Sequence, residues 1–336
     1  MKVQLYSGGL HSVGRSGVGR AIKHQKRALT LNHIEYTTDR NDSFDIAHIN
    51  TIFPSSYFWA KKCRKNGKKV IYHAHSTRED FERSFMFSNM LAPLFQKWIV
   101  RCYNTADALI TPTPYSKRLI EAYGIKKPIY ALSNGIELDF FCYDEARAKE
   151  FRKQFGFSED DKVIISVGLY IERKGILDFV ELAKRMPEYK FVWFGYTPLY
   201  QVPRKVRKAV KTKLPNLFFP GYVEPEHFRN AYSGADLFLF PTYEETEGIV
   251  LLESLACRQN TLIRDIPIYE SWLTDGVNVY KAKTLNEFEA RIRGICEHTL
   301  PCLKDAGYEL VSDKDLSQIG KQLLKIYESV LNEPQS

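Results

Sequence analysis

The stretch DLFLFPTYEETEGIVLLESLAC, residues 236–257, reads as a buried strand, a polar loop and a helix in direct succession. Leu237–Phe240 is apolar at every position, which is typical of a strand covered on both faces of its sheet. Gly248 permits a tight turn, and the apolar run beginning at Ile249 has the character of a helix. This succession of strand, loop and helix is the repeating unit of a parallel α/β sheet.

Units of this kind recur along the chain in two consecutive series. The predicted strands lie at 3–6, 44–49, 69–73, 108–112 and 129–132 in the first series, and at 163–167, 191–194, 217–219, 237–240 and 261–264 in the second. We therefore expect an α/β protein in which two Rossmann-like, doubly wound parallel-sheet domains face each other across a cleft.

The boundaries of these domains follow from where the two series stop. The expected domains are 1–140 and 161–311, joined by a polar, irregular linker at 141–160. In the remaining segment, 312–336, apolar residues recur at helical spacing behind Ser312, a candidate N-cap. Such an amphipathic helix needs an apolar surface, and we expect it to pack back toward the N-terminal domain.

The charge of the chain is concentrated in two places. Its 336 residues carry a formal net charge of +8, and without two basic stretches that contain no acid the chain would be net negative. Such stretches indicate a polyanionic partner, either a nucleic acid or an anionic membrane surface, although a solvated helix face is the alternative. The two stretches comprise Lys61, Lys62, Arg64, Lys65, Lys68 and Lys69, and Arg204, Lys205, Arg207, Lys208, Lys211 and Lys213.

Other compositional features narrow the class of protein. The six cysteines are scattered without a CxxC pair, which argues against a disulfide framework or a zinc site and suits a reducing cytoplasm. The sequence contains no run of about 18 apolar residues, so we expect no membrane-spanning helix. Residues 1–6 enter a strand pattern directly, so we expect no signal peptide.

Two carboxylates flank the turn in the opening stretch. Glu245 lies in the loop, and Glu253 lies one turn into the helix on a face that can look back to the cleft. Ionised carboxylates only accept hydrogen bonds and suit sugar hydroxyls, while the helix N-terminus at Gly248, Ile249 and Val250 suits a phosphate. The spacing therefore favours a sugar-nucleotide site. The alternative is structural: Glu245 would be an acidic residue near the helix N-cap, and Glu253 an exposed residue of the helix.

Three further loops are candidates for the same cleft. VGLYIERKG, residues 167–175, brings Arg173 and Lys174 to the edge where Glu245 is expected, and two cations there could neutralise a departing diphosphate. A glycine-rich loop at 7–19, with Gly17, lets the backbone approach a ligand, though it is a weak signal alone. His75 follows another strand, and we expect His73 and His75 to point to opposite faces, with His75 toward the cleft.

Together these pieces resemble the retaining glycosyltransferases of family four, which have two Rossmann-like domains in the GT-B arrangement. The resemblance rests on the E-x7-E spacing of Glu245 and Glu253, on Lys174-Gly175, and on the turn Asn134–Glu137. The chain departs from the usual pattern at Leu169, at Glu247, where an aromatic residue is common, and at Arg258.

The resemblance implies a role for each candidate. Glu253 would hold the ribose, and Glu245 and His75 the transferred sugar. Arg173 and Lys174 would stabilise the leaving diphosphate, and Tyr222 would lie near the base. No metal cofactor is expected, and the acceptor oxygen would attack the sugar from the face that the leaving group departs from.

The acceptor is suggested by residues 83–103, RSFMFSNMLAPLFQKWIVRCY, where aromatic residues are mixed with basic ones. This mixture suits a helix at a membrane interface, with Phe85, Phe95 and Trp98 and the basic residues of 61–69 as contacts, although a core helix is an equal alternative. The chain is similar to the glycolipid synthases of Gram-positive bacteria, including streptococcal enzymes that add galactose to monoglucosyldiacylglycerol. The expected partners are thus a UDP-hexose, a glycolipid acceptor and an anionic membrane.

The favoured function is transfer of galactose from a UDP-sugar to a glycolipid by a peripheral enzyme on the cytoplasmic face of the membrane. Two alternatives remain open. The transferred sugar could be glucose, giving a diglucosyl lipid, or the acceptor could be a soluble molecule or a polysaccharide. A sugar-nucleotide epimerase would use the same frame without an acceptor. A nucleic-acid-binding protein is disfavoured because the lysine runs lack interleaved aromatic residues.

Overall fold

The computed structural model describes residues 1–9, 14 and 17–333, which form two lobes, each around a parallel β-sheet. The N-terminal sheet has the order β2-β1-β3-β4-β5-β6 and the C-terminal sheet the order β12-β11-β10-β7-β8-β9. The strands are β1 Lys2–Tyr6, β2 Glu35–Thr37, β3 Ile46–Ile49, β4 Lys69–His73, β5 Ala108–Thr111, β6 Ile129–Ala131, β7 Val163–Val167, β8 Lys190–Phe194, β9 Leu217–Gly221, β10 Leu237–Phe240, β11 Thr261–Arg264 and β12 Tyr280–Ala282.

Helices cover both faces of each sheet, so the predicted fold class of two doubly wound α/β lobes is confirmed. The helices are α1 Gly17–Leu31, α2 Pro54–Lys65, α3 Arg78–Phe81, α4 Ser88–Tyr103, α5 Pro114–Ala122, α6 Glu145–Phe155, α7 Ile176–Arg185, α8 Arg204–Val210, α9 Pro225–Gly234, α10 Ile249–Ala256, α11 Leu285–Cys296, α12 Lys304–Ser312 and α13 Leu316–Asn332.

The stretch expected to be an irregular linker is largely helical. Helix α6 occupies residues 145–155 and packs on α9 of the C-terminal lobe. The approach is close, because a Cβ at Gly234 would lie 2.5 Å from Phe151 Cδ1. The polar sequence of α6 misled the prediction, since a helix that buries only Phe151 needs few apolar residues.

The last helix belongs to the N-terminal lobe in space. Helix α13 packs on α1 and buries Leu316, Ile319, Leu323 and Tyr327 in the core beneath β1 and β3. Its N-cap is Asp315, whose side chain accepts a hydrogen bond from Ser317 N at 2.8 Å. Ser312, the predicted cap, instead ends α12 and bonds Glu309 O. The apolar spacing located this helix, but a nearer carboxylate caps it.

The two lobes meet along the carboxyl edges of their sheets. Thr113 Oγ1 of the N-terminal lobe donates a hydrogen bond to Thr246 O at 2.9 Å. Ile136 N donates to Lys314 O at 3.0 Å, and Leu316 N donates to Ile136 O at 3.1 Å. These bonds fix where the chain crosses between lobes, and they place the loops after β4, β7 and β10 around one cleft.

Candidate active site

Glu245 and Lys174 meet in the cleft. The loop after β10 buries Glu245, which is 6% exposed, and its carboxylate accepts a hydrogen bond from Thr242 Oγ1 at 3.1 Å. The Lys174 ammonium pairs with the same carboxylate oxygen. Burial lowers the pKa of Lys174, an effect that the negative charge of Glu245 opposes. Two residues that are 71 positions apart thus form one buried ion pair.

The glycine after Lys174 allows these two loops to come together. Gly175 ends a 3₁₀ turn at Glu172–Lys174 and has a φ of +79°. A Cβ at this position would lie 2.2 Å from Pro241 O, at the start of the loop that carries Glu245. Only glycine combines this conformation with this approach, which explains physically why lysine is followed by glycine here.

Arg173 reaches across the cleft to the N-terminal lobe. Its guanidinium lies 2.8 Å from Asp80 Oδ1 and donates to Ser84 Oγ at 3.1 Å and to Glu244 O at 2.6 Å. Glu245 Oε1 lies 3.9 Å away. The side chain is buried, so any ligand anion that binds to it has to displace or join Asp80. Burial raises the pKa of Asp80, and the charge of Arg173 opposes that shift.

Glu253 is the second acidic residue of the site and is fully buried. The Arg20 guanidinium, from the first turn of α1 in the other lobe, pairs with one carboxylate oxygen. The Tyr232 hydroxyl lies 3.1 Å from the other oxygen and 2.8 Å from Val250 O. The sequence analysis missed both partners, although a basic residue soon after the glycine-rich loop was a signal that could have identified Arg20.

Helix α10 begins between the two acidic residues. Its N-cap is Gly248, at φ +87°, and no side chain caps the helix. The first turn contains no acidic residue and includes Ile249 and Val250. Backbone N–H groups and the helix dipole therefore favour an anion here, and the phosphate-binding role of this turn stays a prediction.

Two further glutamates close the cleft at its N-terminal side. Burial raises the pKa of Glu244 to about 7, and its Oε2 accepts a hydrogen bond from Tyr115 OH at 3.3 Å. Glu247 Oε2 accepts bonds from Asn134 N at 3.0 Å and from Asn134 Nδ2 at 2.7 Å. Glu247, which departs from the usual family pattern, thus ties the loop after β10 to the turn before the lobe crossing.

The histidines after β4 form a stacked row, and the prediction of opposite faces is wrong. His73 and His75 stack with ring centroids 4.1 Å apart, and His48 stacks on His73 at 5.4 Å. The prediction is wrong because side chains alternate with a period of two, so residues two positions apart in a strand share a face. Beyond the end of β4 at His73, His75 N donates to His73 O at 3.0 Å in a tight turn. His75 Nε2 lies 3.1 Å from Asn50 Oδ1.

The row is electrically neutral at ordinary pH. Burial lowers the pKa of His48 and of His75 to about 3 each, and it lowers that of His73 as well. Within the described residues, no group of three or more His, Cys, Asp or Glu side chains is arranged to hold a metal ion. His75 is therefore presented to the cleft as an uncharged hydrogen-bonding group.

Two predicted donor contacts lie at the margins of the cleft. Gly17 is the first residue of α1, and a Cβ there would meet open space. Residues 10–13, 15 and 16 of the same glycine-rich loop lie outside the described residues. Tyr222 follows β9, is partly exposed, and donates to Glu224 Oε2 at 3.2 Å. The roles of both residues stay predictions.

The predicted membrane contacts divide between surface and core. Phe85 is exposed, whereas Phe95 stacks on Phe81 at 4.1 Å and Trp98 Nε1 donates to Ile52 O at 2.7 Å. The exposed side of this region carries an apolar patch, of which Phe85 is the only member among the predicted contacts. This apolar patch comprises Phe85, Met86, Phe87, Met90, Leu91 and Leu94, with Met90 70% and Phe87 68% exposed.

The predicted basic membrane contacts are also divided. Lys61, Lys62 and Lys65 are exposed on α2, and Arg64 and Lys68 are partly so. Lys69 is buried at the start of β4 and donates to Glu333 O at 2.6 Å, so the prediction that it contacts a membrane is wrong. None of the helices in the described part of the chain is long and apolar enough to cross a bilayer.

Comparisons with known proteins match both lobes. A family described as "Glycosyltransferase Family 4" matches residues 15–140, and one described as "Glycosyl transferases group 1" matches residues 147–304. A protein of Acholeplasma laidlawii named processive diacylglycerol alpha-glucosyltransferase is 44% identical over 98% of this chain and 99% of its own length.

Two other matches are more distant. Alpha-galactosylglucosyldiacylglycerol synthase of Streptococcus pneumoniae is 25% identical over 76% of this chain and 70% of its own length. Among solved structures, Anabaena Alr3699/HepE in complex with UDP and glucose superimposes with a TM-score of 0.77 at 14% identity, covering 98% of this chain and 100% of that one. This last likeness concerns the fold.

Proposed function

Because this chain belongs to family four of the glycosyltransferases, as its match to a relative of 44% identity shows, we propose that it transfers glucose from UDP-glucose to a membrane lipid. The proposed acceptor is monoglucosyldiacylglycerol, with diacylglycerol itself as a first acceptor. The observation that carries the proposal is a pair of buried carboxylates, Glu245 and Glu253, each held by a cation at the edge where the lobes meet.

The proposed sugar differs from the one that the sequence analysis favoured. The relative with 44% identity is named a glucosyltransferase, whereas the galactosyl synthase is only 25% identical. Glucose and galactose differ in the orientation of one hydroxyl, so discrimination depends on the hydrogen-bonding groups around that atom. Glucose is therefore proposed, and transfer of galactose is no longer favoured.

The charged groups of the cleft suit the parts of a sugar nucleotide. Glu253 would accept hydrogen bonds from the ribose hydroxyls, and Glu245 would accept hydrogen bonds from the hydroxyls of the transferred sugar. Neutral His75 would offer that sugar a ring nitrogen as a hydrogen-bonding group. Arg173, Lys174 and the N-terminus of α10 would face the diphosphate, where positive groups lower the energy of the developing negative charge. Tyr222 and Gly17 are the proposed contacts at the base and the phosphates.

The proposed reaction retains the configuration at the sugar carbon. The bond between C1 and the diphosphate oxygen breaks, and the acceptor oxygen forms its bond to C1 on the same face. The acceptor proton passes to the leaving phosphate oxygen, so the products are UDP and the elongated lipid. The cations of the cleft supply the charge stabilisation, and we propose that no metal is needed.

The acceptor would reach the cleft from a membrane surface. The apolar patch precedes and begins α4, and the segment that carries it contacts Arg173 through Arg83 O at 3.2 Å. Exposed apolar patches rimmed by cations are typical of membrane-contact sites, and Lys61, Lys62 and Lys65 supply exposed charge on the neighbouring helix α2. A lipid headgroup held there would lie beside the predicted diphosphate site.

A transfer assay with defined lipids tests the proposal. The purified protein is incubated with UDP-glucose or UDP-galactose and mixed micelles of diacylglycerol or monoglucosyldiacylglycerol, and the products are identified by mass spectrometry and by the NMR coupling of the anomeric proton. We expect an α-glucosyl product from UDP-glucose, at a rate that EDTA leaves unchanged.

Each part of the proposal has its own opposing result. Absence of product with every diacylglycerol lipid refutes the acceptor, and a preference for UDP-galactose refutes the sugar. A β-linked product refutes retention, and loss of activity in EDTA that Mg²⁺ restores refutes metal independence. Conversion of UDP-glucose to UDP-galactose without acceptor would instead indicate an epimerase.

A further inference from the structure

The second basic stretch of the sequence forms a stripe on the C-terminal lobe that the proposed reaction does not use. Arg204, Lys208 and Lys211 are exposed on one side of α8 and its C-cap, at the spacing i, i+4 and i+7. Val206 and Ala209 are buried on the opposite side. We call these three exposed residues the basic stripe.

The three cations of the basic stripe lie along the exposed side of one short helix. Arg204 begins α8, where positive charge opposes the helix dipole and the first turn contains no acidic residue, whereas Lys208 and Lys211 lie at its C-terminal end, where the dipole favours cations. Lys205 pairs with Glu172 at 2.7 Å. Among the described residues 1–9, 14 and 17–333, no acidic side chain forms an ion pair with Arg204, Lys208 or Lys211. Several like charges on one solvated face attract polyanions.

The basic stripe is joined to the apolar patch by a short series of contacts. Lys205, beside the stripe, pairs with Glu172, and the next residue, Arg173, donates its N–H to Arg83 O at 3.2 Å. Arg83 lies two residues before Phe85, the first member of the apolar patch. Tyr196 and Tyr200, in the loop before α8, are also exposed, at 53% and 73%.

We infer that the basic stripe and Tyr200 form a second contact of this protein with an anionic lipid bilayer, continuous with the apolar patch across the mouth of the cleft. The bilayer is favoured over a nucleic acid because the neighbouring patch is aliphatic and aromatic, which suits insertion among acyl chains. Lipid contact through both lobes would hold them together around the membrane acceptor. The inference rests on the proposed function for its choice of a membrane.

Vesicle flotation with a triple variant tests this surface. Arg204→Gln, Lys208→Gln and Lys211→Gln remove the basic stripe, whereas Lys205 is left in place because it pairs with Glu172 beside the predicted catalytic cation. We expect the partition of the variant onto vesicles of phosphatidylglycerol and phosphatidylcholine to fall roughly tenfold or more. Binding of the unmodified protein should weaken with added salt, because salt screens exposed charges.

A matched variant makes the test specific. Lys153→Gln, Lys321→Gln and Lys325→Gln remove the same charge from exposed positions on α6 and α13, and we expect a loss of less than about twofold. Equal losses in both triple variants, or none in the stripe variant, overturn the inference. So does a loss of duplex DNA binding in the stripe variant with unchanged flotation.

The proposed function and this inference fail in different ways. The stripe variant should keep its glucosyl transfer to a detergent-dispersed acceptor, because it retains the cleft residues. If the unmodified protein glucosylates no diacylglycerol lipid, the proposed function fails whatever the flotation shows. If transfer occurs and flotation is independent of the stripe, only the inference fails.

Discussion

The two lobes share one architecture but contribute different side chains to the cleft. The C-terminal lobe supplies two buried carboxylates, Glu245 and Glu253, and the cations Arg173 and Lys174. The N-terminal lobe supplies the neutral histidine row, and it supplies Arg20 and Asp80 as counter-charges to Glu253 and Arg173. The buried charges of the cleft are therefore balanced partly within the C-terminal lobe and partly across the cleft.

The largest expected effect comes from breaking the pair that lies within one lobe. Lys174→Ala and Glu245→Gln should each lower kcat by about 10³-fold or more, because preorganised charge that acts on the transition state is removed. Steady-state kinetics with the lipid acceptor measures the loss, and circular dichroism checks the fold. Lys184→Ala, on the exposed side of α7, serves as the control. A loss of less than about tenfold would place the chemistry elsewhere.

The pair that crosses the cleft should matter nearly as much. Arg20→Ala leaves Glu253 buried without a counter-charge, which costs on the order of 3 kcal/mol of unfolding free energy and weakens UDP binding. Denaturant titration and calorimetry with UDP measure the two effects. Arg27 lies on the same helix as Arg20, and Arg27→Ala, which breaks an exposed pair with Glu137, should cost at most about 1 kcal/mol.

The outcome for Arg20 also sharpens the comparison between lobes. If Arg20→Ala and Arg27→Ala cost the same, then the N-terminal lobe does not stabilise the buried acid, and the charge balance across the cleft is refuted. If stability falls but UDP affinity is unchanged, the pair is structural only, and Glu253 does not hold the ribose.

Glu244 should make stability depend on pH in an unusual direction. Burial raises its pKa to about 7, above its ordinary value of 4.5, so the folded state binds a proton that the unfolded chain releases between these values. Its contribution to stability is therefore complete below pH 4.5 and is lost as the pH rises through about 7.

The matched measurement uses two glutamine variants. Glu244→Gln should become more stable relative to the unmodified protein by roughly 1–3 kcal/mol between pH 5 and pH 8. Glu328→Gln, at an exposed position on α13, should show no such trend. Urea titrations at both pH values give the difference, and equal behaviour of the two variants would contradict the buried state of Glu244.

The smallest effect is expected at the far end of the histidine row. The Tyr327 hydroxyl lies 2.7 Å from His48 Nδ1, so Tyr327→Phe removes one buried hydrogen bond and should cost about 1 kcal/mol. The cost should be the same at pH 5.5 and pH 8, because burial keeps the row uncharged. A cost that grows at the lower pH would show that a histidine becomes charged.

The sheets could be predicted from the sequence because parallel strands buried on both faces are apolar throughout. The ends of β7 and β10 followed directly, and they brought Lys174 and Glu245 to one edge. The spacing of Glu245 and Glu253 gave the family resemblance that the comparisons then supported. These features are local in sequence, so their physical signals survive without the fold.

Contacts between lobes could not be predicted in the same way. The partner of Glu253 lies 233 residues away on another lobe, and no local pattern records that distance. Helix α4 is apolar around much of its circumference, so its sequence did not reveal that Phe95 and Trp98 face inward while Met90 and Leu94 face solvent. His75 was misplaced because residues two positions apart in a strand share a face, so alternation itself places it beside His73.

The most direct test of the account is a crystal structure of the protein with bound UDP. The account predicts density for the ribose at Glu253, and for the diphosphate at the N-terminus of α10 beside Arg173 and Lys174. Nucleotide density anywhere outside the cleft between the two lobes, with these residues unchanged, would contradict it.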